Sequence, residues 1–131
     1  MPRILLVGGY PSLRLLYFFH LTKLGCDVIS ARQFSEALLF LQIDYRFQVI
    51  FVNLSSPLEA GLAFIDFIRK IYPSMPFVVT APATDEAHAA LDALRAEQLV
   101  IYTPANIDDL EQILDALGLL NRNSVPNEDD S

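Results

Sequence analysis

Residues 48–61 read QVIFVNLSSPLEAG. Gln48–Val52 is a short run, β-branched and apolar on both faces of a period-two pattern, and it reads as a strand buried on both sides. Asn53–Gly61, rich in Ser, Pro and Gly, reads as a loop. Leu62–Ile71 then has helical spacing, with Phe64, Ile65 and Ile68 facing inward. A doubly buried strand that feeds a helix is the unit of a parallel sheet covered on both faces.

The same unit recurs on either side. Upstream, Arg3–Val7 (RILLV) is a strand stopped by Gly8-Gly9, and Pro11-Ser12 opens a helix that runs to Leu24 ahead of Gly25. Asp27–Ser30 is a second strand and Gln33–Ile43 a second helix. Downstream, Phe77–Thr80 and Asp85–Glu97 form a fourth pair, and Leu99–Tyr102 and Ile107–Leu120 a fifth. Five alternations with right-handed crossovers make an α/β, doubly wound, five-stranded parallel sheet. The expected strand order is the flavodoxin-like 2-1-3-4-5, with helices on both faces and ligands at the carboxyl ends of the strands. Those ends carry Gly8-Gly9-Tyr10, Asn53, Thr80-Ala81 and Thr103-Pro104. Residues 1–120 are expected to form one domain, and 121–131 (NRNSVPNEDDS) a flexible acidic tail or linker.

Composition narrows the function classes. The 131 residues are 53% hydrophobic and 19% charged, which excludes disorder. Arg14, His20 and Lys23 interrupt the most apolar stretch, so no transmembrane helix and no membrane partner are expected. Gly8 and Gly9 break the first apolar run, so no signal peptide is expected. The single cysteine, Cys26, excludes a disulfide framework and suits a reducing, cytoplasmic setting. Net charge is −7. Residues 81–120 hold eight acids against Arg95, whereas residues 1–80 hold seven basic and five acidic side chains. An acidic C-terminal third argues against nucleic-acid binding. It suits a basic partner surface, and equally a solvated face.

Taken in order, these motifs resemble the receiver domain of two-component response regulators. RILLV with its two-residue loop, VIFVNLSSP with Pro57 four positions after Asn53, Gly61, FIDFIRK, MPFVVTA and IYTPAN all fall where a receiver has its counterparts. The departures fall on the chemistry. The resemblance puts Gly8 and Gly9 where a receiver has a pair of acids, and Asn53 in place of its phosphoacceptor aspartate. The conserved hydroxyl falls on Ala81, or on Thr80 if the strand slips by one. Thr103 takes the place of the lysine, and Val100 that of the aromatic switch. Mg²⁺ needs hard oxygen ligands, so no Mg²⁺ and no other cofactor are expected. Phosphoryl transfer to the protein needs a carboxylate, and the Asn53 amide is no nucleophile. Thr103 is a neutral donor where a receiver puts a cation on the transferred group. The resemblance is therefore to a degenerate receiver, or pseudo-receiver: not an enzyme, but a signalling or adaptor domain working by protein contact in a phosphorelay-type pathway.

Asn53 is expected to hydrogen-bond across the strand ends, and Tyr10 to cover the gap beside Gly8 and Gly9. A small-ligand or nucleotide sensor using the emptied pocket is the alternative. Gly8-Gly9 matches neither dinucleotide nor Walker spacing, so it reads as turn glycines. Ser55, Ser56, Thr80 and Thr103 read as hydroxyls that satisfy loop backbone. His20 and His88 lie on helices, away from the strand ends.

The first helix carries apolar residues on two sides. Leu13, Leu16, Tyr17, His20 and Leu24 form the expected core stripe. Leu15, Phe18 and Phe19 cluster on another face. Burying that face would gain several kcal/mol at ~25 cal/mol per Å² before association costs. Either it is an interface for a protein partner or a homodimer, or the helix is rotated and the face covered. The resemblance implies a second candidate, the face made by the fourth helix, fifth strand and fifth helix, which here is acidic.

Overall fold

The computed structural model describes residues 1–43, 46–55, 57–97, 101–102 and 106–120. Arg3–Gly8 (β1), Asp27–Ala31 (β2), Val49–Asn53 (β3) and Phe77–Thr80 (β4) are strands, joined at the edge by a two-residue strand, Ile101–Tyr102 (β5). All pairings are parallel and the order is β2-β1-β3-β4-β5. The helices are Pro11–Lys23 (α1), Phe34–Gln42 (α2), Glu59–Ile71 (α3), Asp85–Ala96 (α4) and Asp109–Ala116 (α5).

The period of two in the strands sorts the core into two layers. Leu5 and Val7 of β1, Ile50 and Val52 of β3, and Phe77 and Val79 of β4 face one side of the sheet. They pack there on Phe64, Ile65 and Ile68 of α3 and on Ala37, Ala87 and Leu94 of α2 and α4. Ile4, Leu6, Val49, Phe51 and Val78 face the other side, against Tyr17 and Leu21 of α1 and Leu110 and Leu114 of α5. α4 starts at Thr84, whose hydroxyl accepts the Ala87 N–H at 3.1 Å. Arg69 of α3 pairs with both Asp66 and Glu97, tying α3 to the end of α4.

Three sequence expectations are corrected. α3 starts at Glu59, a turn before Leu62, because the chain is already helical from Leu58. α5 is shorter than Ile107–Leu120. Gly118 N–H donates to Asp115 O and Leu119 N–H to Leu114 O, both at 2.9 Å, closing the helix after Ala116. In α1 the buried residues are Arg14, Tyr17 and Leu21, while Leu16 is exposed and His20 only half-buried. Almost every side of α1 carries an apolar residue, so spacing alone does not select the inward face. Packing does: Tyr17 meets the Phe51 ring edge-on at 6.4 Å. Among the described residues no helix is long and apolar enough to cross a membrane. The tail, 121–131, lies outside the described residues, as do Ser56, Val100, Thr103 and Pro104.

Candidate functional site

The sheet register sets Gly8 beside Asn53 and Asn53 beside Thr80 at the carboxyl ends of β1, β3 and β4. Three residues far apart in sequence thus form one row. Asn53 is only 1% exposed, and its carboxamide is engaged at both ends. Nδ2 donates to Gly8 O at 3.4 Å, and Oδ1 accepts the Thr80 hydroxyl at 2.6 Å. Only one amide orientation satisfies both neighbours. Gly8 O can only accept, so the nitrogen must face it, and the oxygen is left for the hydroxyl. The expected bond across the strand ends is therefore present, and Thr80 makes it. Ala81 lies half-buried beside it and offers no side-chain polar atom. Ser55 is half-buried nearby.

Gly8 and Gly9 have left-handed backbone, with φ of +88° and +79°. A Cβ on Gly8 would lie 2.7 Å from Asn53 O, and one on Gly9 would lie 2.8 Å from Asn53 Cβ. Both positions thus need glycine twice over, for conformation and for space. Tyr10, expected to close the gap, is instead 72% exposed. Asn53 already fills the space against Gly9, and Tyr10 lines the cavity beside it rather than closing it. Arg14 also belongs to this turn, which its place in the sequence does not signal. Its side chain is buried, and Nη1 donates to Gly9 O at 2.9 Å. An arginine in a run of apolar residues looks like a surface interruption. Here its stem packs and its head reaches back to the turn.

These contacts test the site for a divalent cation. The Asn53 oxygen, Gly8 O and Gly9 O already accept hydrogen bonds, one of them from a guanidinium. None of the three is a carboxylate, and a hard cation favours several free oxygen ligands. The residues do not fit Mg²⁺. Among the described residues no group of three or more His, Cys, Asp or Glu stands ready to hold a metal ion.

Beside the row opens a cavity of about 410 Å³ between the starts of α1, α3 and α4. Leu13, Tyr17, Leu54 and Leu58 give it apolar walls, Thr80 and Ser55 contribute hydroxyls, and Glu86 lies at its edge. Burial, reinforced by the charge of Asp109, raises the Tyr17 phenol above its ordinary pKa. Burial likewise pushes the Cys26 thiol up, with the N-terminal charge opposing it in part.

On α1, Leu15 and Phe19 are 54% and 58% exposed, and Leu16 joins them. Phe18 does not belong with them. It is half-buried against the α1–α5 core, with its ring edge-on to Phe19 at 5.9 Å. A second exposed apolar set is Leu39 on α2 with Ile43 just past its end, and Phe67 and Ile71 on α3; of these only Leu39 stands out in the sequence. Its signal is the i, i+4 spacing of each pair opposite the inward stripe.

No family model and no curated relative matches the chain. Solved structures do. The chemotaxis protein CheY4 of Vibrio cholerae is 24% identical, with a TM-score of 0.71 over 89% of this chain and 98% of that one. A response regulator receiver domain protein from Clostridium thermocellum is 20% identical, with a TM-score of 0.74 over 95% and 98%. The response regulator TrrA of Thermotoga maritima, solved with Mg²⁺ and a beryllium fluoride, is 23% identical, with a TM-score of 0.72 over 89% and 99%. The likeness is one of architecture: four helical crossovers and the sheet order β2-β1-β3-β4-β5 give this chain the receiver-domain fold.

Proposed function

We propose that the chain is a non-enzymatic, phosphorylation-independent receiver-like module that acts by binding a protein in two-component-type signalling in the cytoplasm. The observation that carries this reading is the Asn53 carboxamide, buried and held between Gly8 O and the Thr80 hydroxyl. A neutral amide with both ends engaged accepts no phosphoryl group. The hydroxyl proton that could greet one points at Asn53 instead. Thr103, taken as the lysine's replacement, and residues 1–120 as the working unit with 121–131 as tail or linker, belong to the same proposal.

The contact surface in this reading is the exposed side of α1, centred on Leu15 and Phe19 with Leu16 beside them. Phe18 supports that surface from below rather than presenting itself. Adjacent exposed apolar side chains on one helix form the kind of patch that marks an interaction site. A protein of this fold is known to engage another protein: TrrA has been solved in complex with the histidine kinase ThkA.

Two measurements test the proposal. Incubation with a small phosphodonor and Mg²⁺ is expected to leave the intact mass unchanged; a stable gain of one phosphate overturns it. Sedimentation across a concentration series compares wild type with Leu15→Glu/Phe19→Glu. A dimer that the double variant dissolves identifies a homodimer. A monomeric wild type directs the same face to a different protein, sought by pull-down with the double variant as control. Equal capture by wild type and variant excludes the α1 face.

A further inference from the structure

We propose that the cavity at the strand ends binds an uncharged, ring-bearing small molecule that carries a hydrogen-bond acceptor. This goes beyond the adaptor reading and does not depend on it. The first observation is Tyr17. It is 5% exposed, it lines the cavity, and its ring is fixed edge-on to Phe51. Among the described residues its hydroxyl has no hydrogen-bond partner, although a buried hydroxyl is costly to leave unpaired. It is a donor on a side chain that lines the cavity, and the polar groups there, Ser55, Thr80, Thr84 and Glu86, leave it unpaired.

The second observation is the shape and lining of that space. About 410 Å³ lies within the range of roughly 300–1,000 Å³ typical of small-molecule pockets. Leu13, Leu54 and Leu58 offer apolar walls suited to a flat ring. The third observation is charge. No lysine, arginine or histidine is among the described lining residues, and the carboxylate there is that of Glu86. A phosphate or carboxylate would enter without a counter-charge and against a like charge. The ligand class is therefore a neutral ring with a carbonyl-type acceptor, and phosphorylated nucleotides are disfavoured.

Coumarin, indole, benzoate and inorganic phosphate separate these terms. Coumarin has a ring and a carbonyl, indole a ring without an acceptor, benzoate a ring with a negative charge. Each is titrated at millimolar concentration against the full chain, following backbone amide resonances. Coumarin is expected to give saturable shifts confined to the neighbourhoods of Leu13, Leu54 and Thr80–Thr84. It is expected to bind about fivefold more tightly than indole, the value of one hydrogen bond, and more tightly than benzoate. Tyr17→Phe retains the ring on Phe51 and is expected to abolish coumarin's advantage over indole. Ala81→Trp, which fills the cavity from a half-buried position, is expected to abolish binding of both. Absence of saturable coumarin shifts, equal affinity for coumarin and indole in the wild type, a preference that survives Tyr17→Phe, or tightest binding by benzoate or phosphate each overturns the proposal. The phosphodonor experiment reads a different property, so the two readings can fail separately.

Discussion

The Thr80 hydroxyl donates to Asn53 Oδ1 at 2.6 Å, between the last residues of two neighbouring strands. Thr80→Val keeps the shape and removes the donor, leaving a buried amide oxygen unpaired. A loss of about 1–3 kcal/mol is expected, read as a lower urea midpoint with an unchanged slope. Thr80→Ser is expected to recover most of it. Equal midpoints for the valine and wild-type proteins would show that the bond contributes nothing.

The two glycines are distinguished by what they touch. Gly8→Ala and Gly9→Ala are each expected to cost roughly 2–4 kcal/mol, from left-handed backbone plus a forced contact. The partner of Gly8 is a backbone oxygen, while that of Gly9 is the Asn53 side chain. Asn53→Gly should therefore relieve part of the Gly9→Ala cost and none of the Gly8→Ala cost. A double-mutant cycle in denaturant reads this difference directly.

On α1, exposure separates surface from support. Leu15→Glu/Phe19→Glu is expected to leave unfolding stability within about 0.5 kcal/mol of wild type. Phe18→Glu puts a charge against the α1–α5 core and is expected to cost about 2 kcal/mol or more. Thermal unfolding of the three proteins checks the order. Equal damage by both changes would place Leu15 and Phe19 in the core.

Alkaline pH should weaken the fold. The Tyr17 phenol is raised above 10.0 in the folded chain, mainly by desolvation and then by Asp109. Above that ordinary value the unfolded chain releases the proton first and the folded chain holds it. Stability contributed by the neutral phenol is thus complete below about pH 10 and declines as pH rises through the folded-state value. Denaturant midpoints measured from pH 8 to 11 are expected to fall at the upper end. Tyr17→Phe should flatten that fall.

The alternation of strands and helices was legible because the central strands are apolar on both faces and most of the helices are punctuated by Gly, Pro or a cap. The row at the strand ends was legible for the same reason. Once Gly8, Asn53 and Thr80 end parallel strands, register sets them side by side. What escaped is rotation about a helix axis. With Leu15, Leu16, Phe18 and Phe19 all apolar, α1 offers no single buried face until Tyr17 meets Phe51. Arg14 escaped because a cation in sequence reads as solvent-facing, and only the turn carbonyl at Gly9 explains its burial. The end of α5 escaped because Leu119 and Leu120 continue the apolar pattern past the backbone bonds that stop the helix.

The left-handed turn at Gly8-Gly9, with Asn53 pressed against it, also shapes which neighbouring sequences this chain can reach. An acid introduced at 8 or 9 alone meets left-handed backbone and a close atom of Asn53, and an acid at 53 alone meets the Gly8 carbonyl. Each single step toward a charged pocket runs uphill. A route that adds all three needs the turn to be rebuilt first, so the neutral strand-end row behaves as a ratchet in sequence space. Designers who want a phosphate-responsive version of this domain would do better to graft a new β1–α1 turn than to restore acids one by one.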